Sequence, residues 1–223
     1  GQRCSATSRV VVRTEVVDEF LDQFAELTRR VTTGDPRGDV FMGPLASESA
    51  MQKFLDAQGR DESGALEPVV RGGKAVEESG GYFVEPAVWL AKTVHARGEH
   101  QGAEIFGPDV VVYPVETDEA AVHVANATEY GLAMSVFTDQ ESRFEEFAYD
   151  LRTGVLNLNQ STAGASSKLP FGGVKKSGNH RPSAILAGEY CSYPQAQLRQ
   201  EAGWDESMID EAPLRFLDEP IRD

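Results

Sequence analysis

Cysteine is scarce in this sequence, with only Cys4 and Cys191 among 223 residues. They stand nearly a chain length apart and in no metal or redox spacing. A disulfide framework is therefore excluded, and the usage fits a reducing, cytoplasmic compartment. The four histidines (His95, His100, His123 and His180) lack i,i+4 spacing and cysteine neighbours, so no metal site is expected. No apolar run reaches the ~20 residues that span a bilayer. A basic segment followed by an apolar one, the mark of secretion, is also missing. Positive charge is short: 21 Lys and Arg against 36 Asp and Glu leave a net charge of −15. Nucleic-acid backbones and anionic membranes repel such a surface, so neither is an expected partner. The sequence has no P-loop, no complete dinucleotide fingerprint and no Ser-His-Asp order. It opens without methionine inside a loop-like motif, which suggests the back part of something longer.

What is present suits a globular α/β protein. The length allows a substantial core, and 40% apolar content with 21 glycines is ordinary for that class. Residues 9–12 are short and β-branched, a buried-strand pattern. Val16, Phe20, Phe24, Leu27 and Val31 then recur at helical spacing over 15–31. A second helix is predicted over 47–58, capped by Ser47, with Met51, Phe54 and Leu55 inward. Two glycine pairs, Gly72-Gly73 and Gly80-Gly81, punctuate a hairpin-like region before the extended run 82–86. Residues 110–115 make the clearest strand, nearly continuous in β-branched residues and so covered on both faces. A helix capped by Thr117, a strand over 134–138, a helix over 142–152 and a strand over 155–158 follow. This alternation predicts an open, mainly parallel sheet. A late strand is expected over 190–198, and residues 201–223 read as an acidic, solvated tail.

Chemistry concentrates in a few places. Gly1-Gln2-Arg3-Cys4 sets a thiol in a loop just before the first strand, with Arg3 and Arg9 close in sequence. Nearby cations stabilise a thiolate, which is the nucleophilic form. A cysteine taken alone is more often a small apolar core residue. Glu104-Ile105-Phe106-Gly107-Pro108 precedes the strongest strand and suits a carboxylate on a ribose beside a packing ring, or simply a turn. Residues 160–180 are too rich in glycine and small polar residues for a core element. Within them Gly164-Ala165-Ser166 offers backbone N–H groups for an anion, and Lys168, His180 and Arg181 supply positive charge for a dicarboxylate. Residue chemistry alone stops at an α/β protein with a candidate thiol.

Taken together, these motifs resemble the aldehyde dehydrogenase superfamily. The likeness runs from Gly1-Gln2-Arg3-Cys4 through Glu104-Ile105-Phe106-Gly107-Pro108 and Asn126-Ala127-Thr128-Glu129-Tyr130-Gly131-Leu132 to Pro170-Phe171-Gly172-Gly173 and Ser177-Gly178. Ser177-Gly178-Asn179-His180-Arg181-Pro182-Ser183-Ala184, with Tyr190-Cys191 after it, is most similar to the N-succinylglutamate 5-semialdehyde dehydrogenase branch of arginine catabolism. Lys175-Lys176 departs from that branch's pattern.

The resemblance implies that helices cover both faces of the sheet and that Cys4 is the nucleophile. It implies that Glu104 and Phe106 contact NAD, and that Gly164, Ala165 and Phe171 contact substrate, with Asn157 shaping the pocket. It also implies a catalytic part over 1–188, an oligomerisation strand over 189–198 and a tail over 199–223. A homo-oligomer of two or more chains is expected. In that family the dinucleotide-binding domain, general-base glutamate and oxyanion asparagine precede the cysteine, so this chain is expected to be incompetent alone. The other readings are a non-catalytic remnant active in oligomer assembly and, ranked last, a cysteine hydrolase.

Overall fold

The computed structural model describes residues 1–59, 64–75, 80–94 and 99–199. The chain divides into two compact units, Gly1–Tyr190 and Cys191–Asp223. In order, the first unit runs β1 (Arg9–Arg13), α1 (Val17–Arg29), α2 (Glu48–Gln58), β2 (Leu66–Val70), β3 (Gly73–Lys74), β4 (Val84–Glu85), β5 (Ala87–Ala91), α3 (Glu99–Gly102) and β6 (Asp109–Val115). It continues with α4 (Asp118–Asn126), β7 (Tyr130–Gly131), β8 (Ala133–Val136), α5 (Glu141–Asp150), β9 (Val155–Leu158), β10 (Pro170–Phe171), β11 (Val174–Lys175), β12 (Ser183–Ala184) and α6 (Ala187–Tyr190).

The main sheet has the order β1-β6-β5-β2. The β1–β6 and β5–β6 ladders are parallel, and β2 closes the edge antiparallel to β5. Pro68 cannot donate to a ladder and sits in edge strand β2, where the register shifts. Two-residue periodicity splits the central strands between two cores. Val112 and Val88 point to one face, where Val12, Val17 and Leu21 cover them. Val111, Tyr113, Val115, Trp89 and Ala91 point to the other, against Met51, Phe54 and Val124. Helices therefore cover both faces, and continuous β-branching in β6 follows from burial on both sides. A second parallel pair, β8–β9, stands apart from this sheet, joined by α5. The expected open, mainly parallel α/β sheet is thus present, divided between four strands and two.

The helix caps form where expected. Ala50 N donates to Ser47 Oγ at 3.2 Å, and Ala120 N to Thr117 Oγ1 at 3.1 Å. Thr117→Ala is expected to destabilise the chain by about 1 kcal/mol, measured by urea denaturation; an unchanged midpoint would mean that α4 is held by packing alone.

The inner face of α1 differs from the expectation. Val16 and Leu27 are 52% and 61% exposed, while Val17, Leu21, Ala25 and Thr28 are buried. Phe20 and Phe24 flank that buried stripe with stacked rings 5.4 Å apart. The expected late strand is also not formed. Tyr190 ends α6, and residues 191–199 of the second unit belong to no strand and are exposed. A strand is stabilised by a neighbouring ladder, and among the described residues none pairs with this segment. The acidic tail over 201–223 lies outside the described residues.

Candidate active site

The sequence places the first loop by three local ties. Ala6 N donates to Arg3 O at 2.9 Å, which closes a turn around Cys4. Ala46 N donates to the Gln2 side-chain oxygen at 2.9 Å, and Val111 N donates to Ser8 O at 3.1 Å. A fourth contact explains Gly1: a Cβ there would lie 1.9 Å from the Gly107 carbonyl oxygen, so the cysteine loop and the 104–107 segment touch backbone to backbone. Ser5 is buried and Cys4 is exposed. The inert core reading of Cys4 is therefore removed.

Cys4 opens on a cleft of about 1360 Å³ that Glu104 and Phe106 also line. Its walls come from β1 and β6 on one side and β8 on the other, with Tyr113, Met134 and Thr162 among them. The Thr7 and Thr162 hydroxyls, 2.9 Å apart, tie the cysteine loop to the glycine-rich loop across it. Glu104 is exposed, and Phe106 is 38% exposed with φ +57°. An exposed carboxylate can accept hydrogen bonds from the hydroxyls of a nucleotide ribose, and a part-exposed ring beside it offers an apolar surface for an adjoining base.

The electrostatics correct one expectation. Arg9, expected to support the thiol, holds its guanidinium at the C-terminal end of α4. Its Nη1 donates to Val124 O and Ala127 O at 2.9 and 3.1 Å, and the group lies 5.5 Å from the Tyr113 ring centre. A cation at a helix C-terminus meets the carbonyl end of the helix dipole. Burial pushes the Tyr113 phenol up, an effect that Arg9 partly offsets. Lys175 joins the same helix end, donating to Asn126 O and Thr128 O at 2.9 and 3.0 Å. Burial, with Arg152 and Arg9 nearby, holds its ammonium below the ordinary lysine range. The Lys175-Lys176 departure thus has a structural use in Lys175, while Lys176 makes an exposed pair with Glu129 at 2.6 Å.

Gly164, Ala165 and Phe171 do not line the cleft. Gly164 and Ala165 are exposed in the loop two and three residues beyond Thr162, and Phe171 pairs with Ser183 in the β10–β12 ladder. Asn157 shapes that loop, donating from its amide to Ser161 O at 2.9 Å. Among the described residues, no group of three or more His, Cys, Asp and Glu is arranged to hold a metal, and no helix is long and apolar enough to cross a membrane. Sequence reasoning missed His100 and Asp109, which are buried beside the Glu104 segment. No periodicity marks them, because their pairing spans a loop.

The model of the aldehyde dehydrogenase family matches residues 1–195. N-succinylglutamate 5-semialdehyde dehydrogenase of Sphingopyxis alaskensis is 36% identical over 209 residues, covering 91% of this chain and 41% of that protein. The protein of that name from Paraburkholderia xenovorans is 35% identical over 201 residues, covering 89% and 40%. Among solved structures, the NAD+ complex of an aldehyde dehydrogenase from Bacillus cereus superposes with a TM-score of 0.77 at 31% identity, covering 84% of this chain and 37% of that one. Aldehyde dehydrogenase 21 from Physcomitrella patens, solved with the reaction product succinate, gives 0.76 at 28% identity, covering 84% and 38%. The chain thus spans about two fifths of the length of the relatives it matches.

Proposed function

The chain belongs to the aldehyde dehydrogenase family, and on that premise we propose that it carries the nucleophile-bearing part of an enzyme oxidising N-succinyl-L-glutamate 5-semialdehyde to its carboxylate with NAD+, a step of arginine catabolism in the cytoplasm. The observation that carries this reading is that Cys4, Glu104 and Phe106, a hundred residues apart in sequence, line one cleft.

In this reading the Cys4 thiolate adds to the aldehyde carbon, forming the C–S bond and an oxyanion that backbone N–H groups stabilise. Collapse of the oxyanion expels the aldehyde hydrogen with its electron pair and leaves a thioester on Cys4. A water molecule hydrolyses that thioester, releasing the carboxylic acid and restoring the thiol. The residues present fit a nicotinamide dinucleotide: the exposed Glu104 carboxylate would accept hydrogen bonds from ribose hydroxyls, and the Phe106 ring would pack beside the base. That cofactor, when bound, supplies the hydride acceptor.

Gly164, Ala165 and Phe171 stand outside the cleft, so contact of the exposed Gly164-Ala165 backbone with the substrate's carboxylates would require that loop to approach the bound aldehyde, Thr162 being among the loop residues that line the cleft. Residues 189–198, in which Tyr193 and Leu198 are exposed, pair with a second copy in an oligomer of at least two chains.

Protection from alkylation tests the site. Cys4 and Cys191 are both exposed, so iodoacetamide reaches both. Substrate aldehyde at ten times its dissociation constant is expected to slow modification of Cys4 about tenfold and leave Cys191 unchanged. Equal rates at Cys4 with and without aldehyde would sink the assignment.

A further inference from the structure

Glu104 and Phe106 sit in a segment that has no regular structure of its own between α3 and β6. Phe106 adopts φ +57°, a left-handed conformation that costs free energy for any residue with a Cβ. Such a residue persists only where its surroundings over-determine it, and two buried groups stand at the ends of this segment. His100, on α3, is 4% exposed, and Asp109, which opens β6, is 6% exposed. Their side chains meet across the segment, His100 Nε2 to Asp109 Oδ1 at 2.9 Å.

All polar atoms of the two groups have partners. His100 Nδ1 lies 3.0 Å from Ala57 O at the end of α2. Trp89 Nε1, on β5, donates to Asp109 Oδ2 at 3.1 Å, and Gln58 Nε2 donates to the same oxygen at 2.8 Å. The His100 ring meets the edge of the Trp89 indole, with centres 5.3 Å apart. Both imidazole nitrogens thus stand at hydrogen-bond distance from an oxygen, and both Asp109 carboxyl oxygens have partners. A buried polar pair whose atoms are all satisfied rigidifies the elements it joins, here α2, α3, β5 and β6.

We propose that His100 and Asp109 are positioning residues: they clamp the two ends of the 103–108 segment, from α3 and from β6, and so hold Glu104 and Phe106 at the cleft. The clamp acts through backbone on both sides. Asp109 N donates to Gly107 O at 2.8 Å, and Ala87 N donates to Pro108 O at 2.8 Å, so β5 and β6 grip the segment just behind Phe106. Both residues border the same cleft, and the role proposed for them acts through Glu104 and Phe106. That the held residues serve a nucleotide rests on the function proposed above.

Amide hydrogen exchange on the 223-residue chain tests the clamp. His100→Leu is expected to speed exchange at the amides of residue 109 and Ala87 by about tenfold or more, the cost of leaving an Asp109 oxygen buried without its partner. The amides of Val111 and Val155 are expected to stay within about twofold, because opening is local rather than global. Asp109→Asn is the conservative rescue: its amide nitrogen donates to a neutral His100, and its oxygen accepts from Trp89 and Gln58. It is expected to stay within about threefold of the parent at all four amides. Uniform acceleration at all four sites in His100→Leu, or Asp109→Asn opening as much as His100→Leu, would overturn the proposal. Should His100→Leu fail to fold, His100→Gln, which reaches one partner rather than two, is expected to open residue 109 and Ala87 selectively; parent-like exchange there overturns it equally. Titration of the parent chain with nicotinamide mononucleotide separates the two readings. No shift at Glu104 or Phe106, with a segment loosened by His100→Leu, would keep the clamp and remove the nucleotide site.

Discussion

Phe54→Ala is expected to lower the unfolding free energy by about 3–5 kcal/mol. The side chain is fully buried at 0% exposure on α2. It fills the space between two glycines: a Cβ on Gly72 would lie 2.9 Å from its ring, and one on Gly107 2.8 Å. Both glycines lack a side chain to refill the void, so collapse around the cavity is limited and the cost falls at the high end for an aromatic deletion. Against a total stability of about 5–15 kcal/mol, this removes a large share. For a chain of this size the melting temperature is expected to fall by about 6–20 °C. Calorimetry or guanidinium titration reads the effect. A loss below about 1 kcal/mol would show that α2 and the Glu104 segment close over the gap. Gly107 is also the residue against which Gly1 packs, so the same ring indirectly seats the cysteine loop.

Under the proposed function, Cys4→Ala is expected to lower aldehyde oxidation by about 10⁴-fold or more wherever this chain acts together with a dinucleotide-binding part, because Cys4 is the one thiol among the described residues that line the cleft. Cys191 is the one other thiol in the sequence, and Cys191→Ala is expected to leave the rate unchanged. Absorbance at the nicotinamide band measures both. An active Cys4→Ala protein would move the nucleophile elsewhere and end the reading of this cleft.

Much of the fold was legible because it depends on local pattern. The β-branched run at 110–115, the caps at Ser47 and Thr117 and the alternation through 158 each reflect the chemistry of adjacent residues, and each formed within a residue or two of expectation. Strands β2 and β5 were not singled out. Pro68 interrupts the first, and the second is uniformly apolar, which by itself does not separate strand from buried helix. The inner face of α1 was misplaced for a related reason. Two adjacent apolar stripes run along that helix, and helical period accepts either. Only the position of Val88 and Val112 on the sheet selects Val17 and Leu21 over Val16 and Leu27.

The sequence alone determined that an α/β sheet forms and that a cysteine and a Glu-Ile-Phe-Gly-Pro turn recur in the order and spacing of one family. Those are properties of short stretches and of their separations along the chain. Only the tertiary structure decided that Cys4 is exposed rather than buried, that Arg9 serves α4 rather than the thiol, and that His100 and Asp109 meet behind the turn. Exposure, ion pairing and clamping depend on which distant surfaces arrive at one place. That is fixed when the two cores close around β5 and β6, and no periodicity along the chain encodes it.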